Sequence, residues 1–386
     1  MQAAHEMVRG WMETAGMQCR LDPAGNFIGR WGRAGDEQIK SPTRSRVLLI
    51  GSHLDTVINA GKFDGALGVI MGLGLAEMMA ETQPDLPFAI DVVGFCEEEG
   101  VRFQTPYIGS RAIAGGFPQE LLERRDAEGV TVAEALKSFG GSPDRLSEAV
   151  YPPENVVAYI EPHIEQGPVL ELQNLSVGIV TGIVGQSRAT FQFTGRAGHA
   201  GTVPMDSRQD ALVAAARFIV EVQEFAQARK GLMATVGHLE VVPNVANVIP
   251  AQVNVRIDMR HADDATRQSA FREITGRAEA IAERSGLKCD LLWVQEQRAV
   301  TFDSHCLSKL EQAFVDAGQK PFRMSSGAGH DAVVTSERFR TAMLFVRCEG
   351  GVSHHPDEIV SEDDVAVALD VLWRFVLGLA DEGPQS

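Results

Sequence analysis

Four short apolar runs in this chain each stop at a histidine or a carboxylate, and that recurrence constrains the fold more than anything else in it. Val47-Leu-Leu-Ile50 reads as a buried strand closed by Gly51 and Ser52, with His53 and Asp55 directly beyond and Asp64 following in Gly61-Lys-Phe-Asp-Gly65. Ala89-Ile-Asp-Val-Val-Gly-Phe95 runs into Cys96-Glu-Glu-Glu99-Gly100, and Val156-Val-Ala-Tyr-Ile160 into Glu161-Pro-His163-Ile-Glu165-Gln166. Ala342-Met-Leu-Phe-Val346 leads to Gly350-Gly-Val-Ser-His354-His355-Pro356. Apolar runs of this length, punctuated by glycine and proline, suit buried strands. In open α/β sheets ligands bind beyond the carboxyl ends of such strands. His53 and Asp55 are two apart, so an extended backbone points them to one side, where one can bind a metal and the other orient it. By itself that pair is weak evidence and describes a solvated loop more readily than a metal site. With the other strand ends added, a mixed histidine and carboxylate set without clustered cysteines suits zinc, manganese, cobalt or nickel better than an iron–sulfur centre.

The periodicities place two domains on this chain, whose 386 residues exceed a usual single core. Helical and strand patterns alternate up to about residue 181, as a mostly parallel sheet with flanking helices requires. The pattern then changes near Gly178 to Gly185. An alternating strand carries Ala189, Phe191 and Phe193, and a long helix starts near Asp206. Two strands (233–242 and 251–259), a helix (264–285) and a strand from Leu287 follow. That β-α-β-β-α-β order is the ferredoxin-like split motif. The expected architecture is therefore α/β, with residues 1–181 and 295–386 forming a mixed, mostly parallel sheet flanked by helices. Residues 182–294 form an inserted ferredoxin-like α+β domain. The chain is expected to end in a helix over 361–379 and a frayed tail, Gly383-Pro-Gln-Ser386.

Acidic residues outnumber basic ones, 52 to 35, and the formal net charge of −17 argues against nucleic acid as a partner. It does not bear on substrate charge, because metal ions and a local arginine dominate the field in a site. The five cysteines are dispersed with no Cys-x-x-Cys, which suits reduced thiols and a cytoplasmic protein. No segment approaches the ~18 apolar residues of a membrane span. Residues 1–17 read as an amphipathic helix carrying Glu6, Arg9 and Glu13, not as a signal peptide.

The motifs also carry a specific resemblance. Gly51-Ser-His-Leu-Asp-Thr56, Phe63-Asp-Gly65, Glu98-Glu-Gly-Val-Arg-Phe103, His163-Ile-Glu-Gln-Gly-Pro168 and Gly198-His-Ala-Gly-Thr202 occur in that order. Pro243-Asn-Val-Ala-Asn247, Asp258-Met-Arg260, Ser326-Gly-Ala-Gly-His-Asp-Ala332 and Ser353-His-His-Pro356 follow. Together they resemble the di-metal aminoacylase/carboxypeptidase superfamily, in its hydantoinase/carbamoylase amidase branch. The resemblance implies a metallopeptidase-like catalytic domain with a lid and dimerisation domain inserted in it. It implies two divalent metal ions, Zn²⁺ or Mn²⁺ with Co²⁺ or Ni²⁺ as alternatives. Asp64 would bridge them, His53 and His163 would complete one site, and Glu99 and His354 the other. Glu98 would be the general base, because anchoring on Gly100-Val-Arg-Phe103 leaves Glu97 outside. Asp55 takes a supporting role behind the ligands. Relatives usually carry a further helical segment before the point where this chain opens, so its first helix is expected to match their second.

The chemistry the resemblance implies is hydrolysis of a poorly electrophilic ureido or amide carbon by a metal-activated water, with a glutamate moving the proton. His199 would stabilise the oxyanion. Gln166, His199, Asn247, Arg260, Gly329 and His330 match positions that hold the substrate's carboxylate and ureido groups, and the planar fork of Arg260 suits a carboxylate as lysine could not. The expected partners are a small ureido acid and a second copy of the chain. Asp55-Thr-Val-Ile-Asn-Ala-Gly-Lys-Phe-Asp64 and the Cys-Glu-Glu-Glu-Gly form of the acidic motif look closer to allantoate amidohydrolases. N-carbamoyl-L-amino-acid hydrolase or β-ureidopropionase activity is the alternative. A peptidase or aminoacylase, or an inactive binding homologue, fits the motifs less well.

Overall fold

A computed structural model of the protein describes residues 2–32 and 46–381; the expected tail at 383–386 lies outside them. The chain divides into two compact units, Met1–Thr181 with Thr301–Ser386, and Gly182–Val300.

In the first unit the apolar runs become the middle of a nine-stranded sheet. Ala89–Phe95, Val47–His53, Val156–Ile164 and Thr341–Val346 lie side by side in that order, all parallel. Antiparallel strands flank them, Phe27–Trp31 and Gln18–Leu21 on one side and Val177–Ile183 on the other. Residues Val47 to Ile50 are fully buried, which is why both faces of that strand are apolar. Register brings the functional ends level: His53 pairs with Phe95, two residues before the acidic triplet, and Phe345 pairs with His163.

One expectation changes here. The strand expected to end at Ile160 continues to Ile164, so His163 sits within the sheet. Its neighbour keeps pairing past Pro162, with Val346 opposite Ile164, and that ladder carries the strand onward.

Helix Ala66–Thr82 is apolar nearly all round and lies close on the sheet. A Cβ on Gly68 would come 2.1 Å from the Pro162 carbonyl oxygen, so the helix reaches this distance only with glycine there. Gly65, just before the helix, has φ +68°, and a Cβ there would lie 2.4 Å from the His53 ring. This close approach seats Asp64 beside His53. The last helix, Glu362–Ala380, is capped by Ser361, whose hydroxyl accepts the Asp364 N–H.

The second unit is a four-stranded antiparallel sheet in the order Lys288–Gln297, Gly185–Thr194, Gln252–His261, Met233–Val242. Helices Ala211–Gln227 and Asp264–Arg284 pack on it around Phe191, Phe193, Phe218, Phe225 and Val255. Two boundaries move. The first of these helices begins at Ala211, not near Asp206, because the Asp210 carboxylate accepts the Leu212 and Val213 N–H groups and caps it there. The last strand runs to Gln297, so the unit ends at Val300, beyond the expected 294. Among the described residues no helix is long and apolar enough to cross a membrane.

Candidate metal centre

The strand ends converge on Asp64. Its Oδ1 lies 3.3 Å from His163 Nε2 and 3.9 Å from His53 Nε2. Its Oδ2 lies 3.0 Å from His354 Nε2, which is 3.6 Å from Glu99 Oε1. One carboxylate therefore faces two histidines with one oxygen, and a histidine and a glutamate with the other. Its side chain is 1% exposed. His53, Asp64 and His163 form one group of converging donor atoms, and Asp64, Glu99 and His354 another.

The tautomers show what this cluster is built to hold. His53 Nδ1 donates to the Asp55 carbonyl at 2.8 Å, and His163 Nδ1 donates to the Ile164 carbonyl at 2.9 Å. A carbonyl can only accept, so in the neutral rings the hydrogen sits on Nδ1 and the Nε2 lone pairs point inward. Those two Nε2 atoms are 3.4 Å apart, facing each other and Asp64 Oδ1. Among the described residues, Asp64 Oδ2 and Glu99 Oε1 are buried with no hydrogen-bond partner. Buried acceptors facing acceptors are costly unless a cation stands between them. Imidazole nitrogens and carboxylate oxygens, with no thiolate, fit a borderline divalent ion, so the residues present fit a two-metal centre.

The titration of the protein groups follows the same logic. Burial would raise the Asp64 carboxyl, but His163 and His354 beside it hold it well below the usual range. Burial lowers His53. Burial would lower His163 too, yet Asp64 pulls it above the ordinary imidazole value. Asp64 beside it raises His354, with Glu99 adding to the effect. Burial pushes Glu99 up to about 7, with Asp64 adding to the effect.

Glu98 is 6% exposed and groups with His53 and Glu99. Burial drives its carboxyl well above the usual value, reinforced by Asp331, Glu99, Asp55 and Glu161. Asp55 sets its position, in a way that differs from the expected carboxylate–histidine contact. The backbone carbonyl of Asp55 takes the His53 hydrogen bond, while its carboxylate oxygens accept the N–H groups of Glu98 and Glu99, at 3.1 Å each. The strand ends at His53, so the chain has already turned at Asp55 and the alternation assumed for an extended backbone no longer holds. Glu97 belongs to none of the ligand groups. It has φ +54° and lines a separate cavity of about 350 Å³ with Arg102, Leu136 and Phe139.

Gln166 joins the cluster, its Nε2 donating to Asp64 Oδ1 at 3.1 Å and lying 3.3 Å from His354 Nε2. His330 and Gly329, both expected to contact substrate, have packing partners of their own. His330 is 1% exposed, packs edge-on against the His163 ring at 4.4 Å between centroids, and has Nε2 2.9 Å from Ser326 Oγ. At Gly329 a Cβ would lie 2.0 Å from the Tyr107 hydroxyl, so glycine there admits the tyrosine.

Three expected residues, His199, Asn247 and Arg260, belong to the second unit. His199 is exposed in a short bridge, Gly198–His199 with Val248–Ile249. Its Nδ1 accepts the Gly201 N–H at 3.1 Å, which leaves the ring hydrogen of the neutral form on Nε2. Asn247 is exposed, and its carbonyl accepts the Ala200 N–H at 3.0 Å. The Arg260 fork is paired with Asp258, Nε to Oδ1 at 2.8 Å and Nη2 to Oδ2 at 3.0 Å.

Sequence reasoning missed Glu358, Glu161 and Asp331. Glu161 and Asp331 are fully buried carboxyls around Glu98; Glu161 accepts the Ala332 N–H at 2.8 Å, and burial pushes it up to about 7. Glu358 bonds the Asp64 amide across a separation of 294 residues, which no spacing rule reveals. The available signal for Asp331 was its place directly after His330 in the glycine-rich loop.

Comparison with known proteins gives the family of the chain. Residues 49–378 match the family described as Peptidase family M20/M25/M40. An N-carbamoyl-L-amino acid amidohydrolase of Geobacillus stearothermophilus is 42% identical over 377 residues, covering 98% of this chain and 90% of that protein. A probable allantoate deiminase of Oryza sativa subsp. japonica is 38% identical, covering 97% of this chain and 81% of that protein. A hydantoinase/carbamoylase family amidase from Burkholderia multivorans superposes with a TM-score of 0.89 at 32% identity, covering 99% of this chain and 90% of that one.

Proposed function

Because the chain belongs to the M20/M25/M40 peptidase family, in its hydantoinase/carbamoylase amidase branch, we propose that it is an amidohydrolase cleaving the ureido C–N bond of allantoate. The observation that carries the reaction class is Asp64, which turns one oxygen to His53 and His163 and the other to His354 and Glu99. Those residues would hold two divalent ions, which would supply a Lewis acid and a water of lowered pKa. Glu98 accepts the proton of the attacking water and delivers it to the leaving nitrogen. The water oxygen bonds to the ureido carbon, the C–N bond breaks, and ammonia departs. The raised proton affinity of Glu98 suits a group that must hold a proton between those two events. Gln166 orients the ureido group.

We assign His199 to the oxyanion, because the hydrogen bond at Nδ1 makes Nε2 its donor. Asn247 and Arg260 take the substrate carboxylate, with Asp258 holding the guanidinium in plane. The strand Lys288–Gln297, at the edge of its sheet, exposes Leu291, Leu292, Trp293 and Val294, which supports a homodimer through this unit. We place the protein in the cytoplasm on its dispersed free cysteines.

The wording of residues 55–64 and the triple-glutamate motif support allantoate. The 42% identical carbamoylase supports N-carbamoyl-L-amino acids as the second reading. Ammonia release from allantoate, N-carbamoyl-L-amino acids, N-carbamoyl-β-alanine and dipeptides, with Mn²⁺, Zn²⁺, Co²⁺ or Ni²⁺ added in turn, decides between them. Highest kcat/KM on allantoate is expected. Preference for a carbamoyl amino acid transfers the assignment to the second reading, and cleavage of dipeptides alone refutes both.

A further inference from the structure

Glu358 ties together two parts of the metal centre that are far apart in the chain. Its carboxyl is buried, with the residue 2% exposed. Oε1 accepts the backbone N–H of Phe63 at 2.8 Å and of Asp64 at 3.0 Å. Oε2 accepts the Ser353 hydroxyl at 3.0 Å, beside His354. Gly61 makes room for it, since a Cβ there would lie 2.2 Å from the Glu358 Cβ and 2.4 Å from its Oε1. His354 itself has φ +54°, a backbone state that a histidine holds only where its surroundings impose it.

We propose that Glu358 is a positioning residue that sets the separation between Asp64 and His354, and so controls the Asp64–Glu99–His354 metal position selectively. The second metal position has one ligand on each side of this clamp. The first has His53 and His163 fixed in the parallel sheet, with their Nδ1 atoms on backbone carbonyls. Loosening the clamp moves His354 relative to Asp64 and leaves the two sheet histidines where they are. Hydrogen-bonding partners of ligands typically alter metal affinity 10- to 100-fold.

This inference rests on the two-metal reading, and the test separates them. Apo protein is titrated with Zn²⁺ alone against a chromophoric chelator, and bound metal is counted by mass spectrometry, for wild type, Glu358→Ala, Glu358→Gln and Ser353→Ala. Wild type is expected to bind two equivalents. Glu358→Ala should keep one with unchanged affinity and weaken the other by about tenfold or more. Glu358→Gln, which can still accept the two amide hydrogens, should recover most of that loss. Ser353→Ala removes the hydroxyl that donates to Oε2 and accepts the Gln166 amide, leaves both backbone bonds to Oε1 in place, and should weaken the same equivalent less, which keeps the test open if Glu358→Ala does not fold. Equal weakening of both equivalents, or no weakening, overturns the clamp. A wild type that takes up no metal overturns the two-metal reading itself.

Discussion

Replacing Asp55 with asparagine exchanges one carboxylate oxygen for an NH₂ group and keeps nearly the same shape. In the protein both oxygens are used, accepting the Glu98 and Glu99 N–H groups at 3.1 Å each, on a side chain 13% exposed. Asparagine can accept only one of them, and its NH₂ then faces the other N–H, donor against donor. A hydrogen bond to a charged acceptor contributes about 1.5–3 kcal/mol, so losing one and making the other neutral costs about 2–4 kcal/mol. The strain falls on the segment that carries Glu98, the proposed general base, and Glu99, a proposed metal ligand. At ~1.4 kcal/mol per tenfold, kcat should fall about 30- to 1,000-fold if the reactive arrangement bears the whole cost. The contact to His53 comes from the Asp55 backbone carbonyl, which the substitution leaves intact. The metal position of His53, His163 and Asp64 should therefore stay filled. The assay is steady-state ammonia release at saturating metal on whichever ureido acid the enzyme turns over, paired with metal counting. A kcat within about threefold of wild type would show that Glu98 and Glu99 are held by something else.

Glu98→Ala should keep its metal while turnover drops about 10²- to 10⁴-fold, and substantial remaining activity would remove Glu98 as the base. Arg260→Lys replaces a planar fork with a point charge, so KM for carboxylate-bearing substrates should rise, and unchanged KM and kcat would refute the clamp role. His5 packs between Phe27 and Phe139 at 5.3 and 5.0 Å between ring centroids, and burial pushes its pKa down to about 4. Between that value and the ordinary 6.5 the unfolded chain takes up a proton that the folded one does not, so this contribution to stability is complete above about pH 6.5 and lost as pH falls toward about 4. Urea midpoints of wild type should fall faster than those of His5→Leu from pH 7 to pH 5, and parallel slopes would exclude His5 as the cause.

The strand ends that delivered His53, the Glu98–Glu99 pair, His163 and His354 were legible along the chain. A buried parallel strand needs apolar residues in succession, and the polar residue that stops the run marks its open end. The inserted β-α-β-β-α-β unit was legible for a similar reason, since the change from helical to alternating periodicity is local. What local pattern could not show was whatever depends on distant segments meeting. Strand 156–164 continued past its apolar stretch because a neighbouring strand went on pairing with it. The burial of His330 against the His163 ring is of this kind, because the fold of the glycine-rich loop, which residue types alone do not specify, determines where that ring lies. Asp55 serves through its carbonyl on one side and its carboxylate on the other, a division set by the turn after His53.

The sequence by itself determined which residue types reach the metal centre and which strands carry them. Apolar burial is encoded by neighbouring residues, and the histidines and carboxylates are the only groups there with the right donors. Only the tertiary structure decided which oxygen of Asp64 faces which partner, which ring nitrogens carry hydrogen, and that Glu358 joins the two loops. The ring hydrogens follow from carbonyls one or two residues away whose direction the fold sets, and the Asp64 and Glu358 contacts join distant segments, so this geometry exists only once the sheet has brought the segments together.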